Sequence, residues 1–290
     1  MKPKSIGQAR IDAIFEFQNA TRSVFDWFPA ATEEVVVRHR HWMTPTYMEP
    51  VSDHLVIAHQ AYVIRLPGLT VLVDTCIGED KIRPGVPAFH RRKMPLLRNL
   101  RAAGIEPEEI DLVLCTHLHV DHIGWNTKLE NGRWVPTFAN ARYLFSRTEF
   151  DYWQEQHDKV GWMAGGFEDS VLPVVEAGKA DLVDGDHQIR DGLWLEPMPG
   201  HTPGLVCLNL ESDGEQAAFC GDVMHHPIQV PEPQLSSLFC ADPAQSALTR
   251  TAFVERHADT PTLILPTHFA GESVGHIVSD GGGFRFAFAS

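Results

Sequence analysis

The chain has 290 residues, of which 43% are hydrophobic and 21% charged, a balance that is typical of a folded globular protein and argues against disorder. Its formal net charge of −14 disfavours nucleic acid, which is bound by clustered Lys and Arg, and also disfavours an anionic membrane surface. No stretch approaches the roughly 18 apolar residues of a membrane helix, so we expect neither a nucleic-acid nor a membrane partner.

The beginning of the chain and its cysteines favour a cytoplasmic location. The basic start, MKPKSIGQARIDAIFEF, is followed by no apolar run that would form the core of a signal peptide. The 5 cysteines are odd in number, scattered and mostly inside apolar runs, as expected of buried free thiols in a reducing compartment. They are Cys76, Cys115, Cys207, Cys220 and Cys240.

The first 50 residues are rich in bulky aromatic side chains. One interpretation of this N-terminal segment is a strand and an irregular stretch that pack on the core. The other is a lid that lines an apolar pocket, or a contact between two subunits. The aromatic residues are Phe15, Phe17, Phe25, Trp27, Phe28, Trp42 and Tyr47.

Short strands and helices alternate through the rest of the chain, which predicts an α/β architecture and a single domain over residues 1–290. Two short apolar runs, residues 61–66 and 70–74, flank the sequence PGL and predict a hairpin. A helix is expected over residues 91–103, followed by a short strand over residues 111–116 that runs directly into a histidine.

The second half of the chain repeats this alternation. Ser146 with Glu149 matches a capping box, which predicts that a helix begins there. Asp242 followed by a proline is typical of a helix N-terminus, and this helix should continue to about His257. Strands are predicted over residues 193–198, 205–210, 217–220 and 262–265.

Side chains of the kind that bind metals follow the ends of the predicted strands. His117, Asp222 and His268 each come just after an apolar strand, and His201 lies in the loop between two strands. Because a rigid sheet positions the loops at its strand ends, sites of α/β proteins gather there. The convergence of these four positions therefore indicates a functional site.

The densest group is the run THLHVDHIG at residues 116–124, which contains three imidazoles and a carboxylate. Side chains alternate along a strand, so His117 and His119 should point to the same side. A turn after them would direct Asp121 and His122 toward a second centre. Imidazole and carboxylate together suit Zn²⁺ and similar divalent ions. The missing ligands are available at three later positions: His201, Asp222 and His268.

This set of motifs resembles the signature of the metallo-β-lactamase superfamily. THLHVDH is similar to the superfamily's H-x-H-x-D-H run, and GHTPG, the later GD and the late histidine follow in the expected order. Asp74 resembles an early aspartate of the superfamily that supports the metal ligands. The resemblance spans roughly residues 61–268 and implies an αββα sandwich of two mixed β-sheets flanked by helices.

The resemblance also implies a centre of two divalent metal ions, with Zn²⁺ favoured. It assigns three ligands to each ion and makes Asp222 the bridge between them. The first ion would be held by His117, His119 and His201, and the second by Asp121, His122 and His268.

Within the superfamily the chain most resembles the lactonase and methyl-parathion-hydrolase-like group. The run GDVMH at residues 221–225 is similar to that group's G-D-x-x-H run. Two positions depart from related patterns. Leu205 stands where glyoxalase II and the acyl-homoserine lactonases usually have a histidine, and His225 stands where the best-known lactonases have a tyrosine. The resemblance, together with the aromatic N-terminal segment, predicts a homodimer.

The resemblance implies a hydrolase of neutral, moderately apolar esters, with a lactone, carboxylic ester or organophosphate as the small-molecule substrate. A hydroxide that bridges the two metal ions would be the nucleophile. Asp121 is a candidate for passing a proton to the leaving group. His225 is a candidate for hydrogen-bonding the substrate or orienting Asp222, although it would equally pack beside His226. The alternatives are a thioester hydrolase of the glyoxalase II kind and a non-catalytic metal-binding member.

Overall fold

The computed structural model describes residues 2–20 and 22–289. The contacts within the chain divide it into two compact units. The prediction of a single domain over residues 1–290 stays a prediction. The first unit contains residues 2–17 and 59–187, and the second unit contains residues 18–20, 22–58 and 188–289.

The strands and helices alternate as the sequence predicts. The strands are β1 (Lys4–Ile6), β2 (Ala9–Asn19), β3 (Ile57–Leu66), β4 (Leu69–Val73), β5 (Leu112–Leu114), β6 (Thr127–Glu130), β7 (Arg133–Pro136), β8 (Arg142–Ser146), β9 (Ala180–Val183), β10 (Gln188–Arg190), β11 (Leu193–Pro197), β12 (Val206–Ser212), β13 (Glu215–Gly221), β14 (Leu263–Pro266), β15 (Gly275–Asp280) and β16 (Gly283–Phe288). The helices are α1 (Val24–Trp27), α2 (Glu33–Met43), α3 (Leu96–Ala102), α4 (Arg147–Gln156), α5 (Gly166–Ser170), α6 (Leu172–Glu176) and α7 (Pro243–His257).

The first unit is organised around a seven-stranded mixed sheet with the order β1-β2-β3-β4-β5-β8-β9. The predicted hairpin is formed by the antiparallel pair β3 and β4, and Gly68 in its turn has a φ of 73°, which a residue without a Cβ adopts at little cost. β4, β5, β8 and β9 run parallel to one another, so their carboxyl ends lie at one edge of the sheet. Helix α4 packs against β8 and β9.

The second unit contains a seven-stranded mixed sheet with the order β10-β11-β12-β13-β14-β15-β16. β13 and β14 are its parallel pair, and Asp222 and His268 follow their ends. Helix α7 packs against β15. The predicted N-terminus of this helix is confirmed, because the Asp242 carboxylate accepts a hydrogen bond of 2.9 Å from the backbone N–H of Gln245.

The aromatic N-terminal segment contributes to the cores of both units. Phe17 packs against the apolar cluster of the first unit, and Phe28 and Tyr47 belong to an apolar cluster of the second. Phe15 and Phe25 are each 44% exposed. The interpretation of a strand that packs on the core is therefore confirmed for part of the segment. The predicted irregular stretch is wrong, because it contains helices α1 and α2. A lid or a subunit contact stays a prediction.

The cysteines are free, as predicted, and Cys240 is the one among them that is not fully buried. None of the helices in residues 2–20 and 22–289 combines the length and the apolar character needed to span a bilayer.

Candidate metal centre

In the first unit, the predicted ligand run begins just after β5 ends. The ring centroid of His117 lies 4.4 Å from that of His119 and 4.1 Å from that of His122. Ligand nitrogens of His117 and His119 lie within 4.8 Å of each other. All three imidazoles are buried. The first unit therefore gathers the three histidines of the run in one place.

Asp121, the carboxylate of the run, lies beside the same imidazoles. Its Oδ1 is 4.0 Å from Nε2 of His122, and its Oδ2 is 3.3 Å from Nε2 of His59. The sequence did not single out His59, which lies on β3. A lone histidine inside an apolar strand gives no signal that separates it from a core residue.

Asp74 orients this ligand run from the end of β4. Its Oδ2 lies 2.8 Å from Nδ1 of His122, and its Oδ1 accepts a hydrogen bond of 2.8 Å from the backbone N–H of Thr116. A carboxylate on Nδ1 fixes the tautomer of an imidazole and turns Nε2 toward a metal. Asp74 thus makes the contacts expected of the supporting role that the sequence resemblance implies, and the role itself stays a prediction.

In the second unit, one carboxylate is surrounded by imidazoles. Nε2 of His201 lies 3.1 Å from Oδ2 of Asp222, and Nε2 of His268 lies 3.1 Å from Oδ1. Nε2 of His225 lies 3.2 Å from Oδ2. All four side chains are buried. The later predicted ligands therefore also come together, although they lie far apart in the sequence.

The histidines of the second unit are also held through Nδ1. The backbone carbonyl of Ala58 lies 2.7 Å from Nδ1 of His268. The sulfur of Cys240 lies 3.5 Å from Nδ1 of His201. In each case Nε2 is the nitrogen directed at Asp222. This is the orientation in which imidazoles bind metals, with an outer hydrogen bond on the other nitrogen.

The charges in this cluster favour a cation. Burial lowers the pKa of His201, but the Asp222 carboxylate and Cys240 raise it, to about 9 overall. Burial lowers the pKa of His225 to about 4, so His225 is neutral at pH 7. A divalent ion and a proton compete for the same imidazole nitrogen. The carboxylate that attracts a proton to His201 would equally attract a metal ion.

His225 is bordered by aromatic side chains. Its ring centroid lies 5.8 Å from that of Trp27, which in turn lies 5.3 Å from that of Phe239. Nδ1 of His225 and Nε1 of Trp27 are buried and have no hydrogen-bond partner among the residues that the structure describes. Buried polar groups normally have partners, so these two atoms mark a place where a bound molecule or water would be stabilised.

The donor set fits divalent metal ions. Each unit presents buried imidazoles together with a carboxylate, and these are the ligands that Zn²⁺ and related ions take in catalytic sites. The Nε2 atoms that face Asp222 can each donate a lone pair to a metal ion once the imidazole has lost its proton.

The residues of this site lie within a range that matches a known family. A family model described as the metallo-beta-lactamase superfamily matches residues 55–268. The chain belongs to the metallo-β-lactamase superfamily. The matched range covers the ligand run, GHTPG, Asp222 and the late histidine. The predicted fold class, two mixed sheets flanked by helices, is also confirmed.

Curated relatives of the chain include lactonases. An N-acyl homoserine lactonase of a Bacillus species is 27% identical over 114 residues, which are 39% of this chain and 38% of that protein. The chain thus matches well under half of the length of this relative.

Two solved structures are similar to nearly the whole chain. The hydrolase AbOPH has a TM-score of 0.83 and 22% identity, and the match covers 99% of this chain and 97% of that one. AidC is a dizinc quorum-quenching lactonase that was solved with the product N-hexanoyl-L-homoserine. It has a TM-score of 0.80 and 20% identity, with coverage of 100% and 97%. At these identities the likeness establishes the fold.

Proposed function

We propose that this superfamily member hydrolyses small neutral esters with the help of two divalent metal ions, Zn²⁺ being the first candidate. The observation that carries the proposal is the buried carboxylate of Asp222, whose two oxygens are directed at different imidazoles. A carboxylate that is shared in this way suits a bridge between two ions. The likeness to AidC, a dizinc lactonase, supports the metal content.

The proposed ligands are the seven side chains that the sequence resemblance assigns. Each ion takes three of them, and Asp222 is shared. The first ion would be bound by His117, His119 and His201, and the second by Asp121, His122 and His268.

Two metal ions would supply Lewis-acid charge and a water molecule of lowered pKa when they are bound. The side chains around them would then order the substrate and handle protons. Asp121 is 19% exposed at its side chain, unlike the buried ligand histidines, and would pass a proton to the leaving alkoxide. His225 donates from Nε2 to Asp222 and keeps Nδ1 as an acceptor for the substrate.

We further propose that the substrate is uncharged, with lactones as the first class to test. Trp27 and Phe239 form an apolar border next to His225. The names of the Bacillus relatives and of AidC also point to lactone hydrolysis. Aryl carboxylic esters and phosphotriesters are further candidates, because like lactones they have no net charge and carry an oxygen that a metal ion can polarise.

The decisive experiment is a substrate panel on one zinc-loaded sample. It compares a γ-lactone, an N-acyl homoserine lactone, a 4-nitrophenyl ester, a phosphotriester and a glutathione thioester, each with and without a chelator. We expect chelator-sensitive turnover of at least one lactone or ester. A preference for the thioester would favour the glyoxalase II alternative, and a metal-loaded but inactive sample would favour a non-catalytic member. The cytoplasmic location stays a prediction.

A further inference from the structure

Glu149 does not do what its sequence motif predicts. Ser146 is the N-cap of α4, as expected, but its side chain makes no capping hydrogen bond, so the predicted capping box is wrong. Glu149 is only 1% exposed. Burying a carboxylate costs free energy unless hydrogen bonds compensate for it. The contacts of this carboxylate therefore need another explanation.

The carboxylate of Glu149 contacts the ligand run. Its Oε1 accepts a hydrogen bond of 3.0 Å from the backbone N–H of Leu118, the residue between His117 and His119. The peptide that joins the two predicted ligands of the first ion is thus held by a side chain of α4. Movement of this peptide would change the separation of the two imidazoles.

The next turn of the same helix contacts one of these imidazoles directly. Nε1 of Trp153 donates a hydrogen bond of 2.7 Å to the same Oε1 of Glu149. The Trp153 ring meets the ring of His119 edge to face, at a centroid distance of 5.3 Å and an angle of 71°. Glu149 therefore holds the backbone of the run and orients the ring that packs on His119.

Two buried carboxylates hold the run at different points. Asp74 binds Thr116 and His122, and Glu149 binds Leu118, which lies between them in sequence. Metal affinity depends strongly on such outer hydrogen bonds, because they fix ligands in the binding geometry before the ion arrives.

We propose that Glu149 is a positioning residue of the metal centre. Its side chain is long enough to accept the hydrogen bond from the Leu118 N–H, and metal affinity depends on this length rather than on the negative charge. This inference rests on the proposed function, since it presumes that His117 and His119 bind a metal ion. It assigns α4 the task of fixing the spacing between them.

Two substitutions separate reach from charge. Glu149→Gln keeps an oxygen at the same distance and loses the charge, whereas Glu149→Asp keeps the charge and shortens the side chain by one methylene. The zinc dissociation constants are measured by competition with the chromophoric chelator 4-(2-pyridylazo)resorcinol, and the Co²⁺ absorption spectrum reports ligand geometry. We expect Glu149→Gln to stay within about threefold of the parent, and Glu149→Asp to bind zinc about tenfold more weakly with an altered spectrum.

The matched control is the same pair of substitutions, to Gln and to Asp, at Glu155, which lies exposed on the same helix. These substitutions should leave the dissociation constant unchanged. Thermal midpoints of the metal-free variants report whether the substitutions affect folding itself.

Three results would overturn the inference: unchanged zinc affinity in Glu149→Asp, a loss in Glu149→Gln equal to or larger than that in Glu149→Asp, or a fall in the metal-free midpoint without any change in affinity. Failure of the parent protein to bind zinc would instead remove the proposed function, and the inference with it. The two failures are thus distinguishable.

Discussion

Oδ2 of Asp222 lies 3.1 Å from Nε2 of His201. The other oxygen of the same carboxylate faces His268 at 3.1 Å, so the two sides of one buried side chain address different imidazoles. A carboxylate directed at one imidazole alone would suit a single ion. Because its two oxygens face different imidazoles, Asp222 is suited to be shared between two ions.

Replacement of this carboxylate should therefore affect both ions. We expect Asp222→Ala to lose at least one equivalent of metal, to reduce hydrolysis below detection, and to unfold at a lower temperature than the metal-loaded parent, because bound metal stabilises the folded state. Metal content is measured by mass spectrometry of protein purified without chelator. Asp191→Ala, at an exposed turn of the second unit, is the control. Full metal content with retained activity would count against a shared ligand.

A second prediction concerns the buried amine of Lys81. Nζ donates a hydrogen bond of 2.7 Å to Oγ1 of Thr127, lies 3.5 Å from Oδ1 of Asp169, and sits 3.7 Å from the centre of the Trp134 ring. Arg83 pairs with the same Asp169 carboxylate. Burial lowers the pKa of Lys81 to about 7, against the attraction of Asp169.

The sign of the stability effect follows from this lowered pKa. Between pH 7 and about 10.5 the unfolded chain keeps the proton on Lys81 and the folded chain releases it, so the contribution of Lys81 to the free energy of unfolding rises with pH. Below pH 7 the protonated amine is buried at a cost. Relative to Lys81→Met, the parent should gain a few kcal/mol across this range. Urea titrations at several pH values measure it, with the exposed Lys159→Met as control. A pH-independent difference would contradict the assignment.

The sequence predicted those features whose causes are local. Asp242 caps α7 because a carboxylate followed by proline is suited to the first turn of a helix. The strand before His117 was visible from its apolar run. The candidate ligands were recognisable because their motifs follow strand ends or lie in a loop between two strands, where position in the sequence implies position on the sheet.

Other features depend on distant contacts that no local pattern records. The sequence pattern predicted a contact of Glu149 with the start of its own helix. The carboxylate instead accepts a hydrogen bond from the backbone N–H of Leu118, which is distant in sequence. His59 lies near Asp121 because β3, which contains His59, and β5, which precedes Asp121, belong to the same sheet. The helix expected from residue 91 begins at Leu96, since Pro95 disfavours helical backbone in the residue before it. Pro95 is visible in the sequence, and its effect on the preceding residue outweighs the helical propensity of residues 91–94.

A third prediction concerns the homodimer expected from the aromatic segment. Phe25 is 44% exposed on α1, whereas Phe28 at the end of the same helix is fully buried. The homodimer rests on the sequence resemblance, and Phe25 is the exposed aromatic ring of the segment through which we expect the contact to form. We expect the parent to be dimeric in size-exclusion chromatography with light scattering, and Phe25→Asp to shift it toward the monomer. Val37→Asp, at a position 70% exposed on α2, should not. A monomeric parent would dismiss the prediction.

The last prediction is that the enzyme selects against charged substrates. The proposed ligands are five neutral imidazoles and two carboxylates, so a centre with two divalent ions and one hydroxide would carry a charge near +1. Such a centre stabilises negative charge that develops in a transition state more than it binds a neutral ester, which favours turnover. An aromatic neighbour of His225 is the uncharged ring of Trp27, against which Phe239 packs.

A matched pair isolates the effect of charge. Diethyl 4-nitrophenyl phosphate and ethyl 4-nitrophenyl phosphate have the same leaving group and differ by one negative charge. We expect kcat/KM for the neutral triester to exceed that for the diester by at least tenfold, which corresponds to about 1.4 kcal/mol in the transition state. Lactones and aryl esters should likewise exceed 4-nitrophenyl phosphate. If the diester or a glutathione thioester were hydrolysed faster than every lactone and aryl ester, the predicted preference for neutral substrates would be wrong.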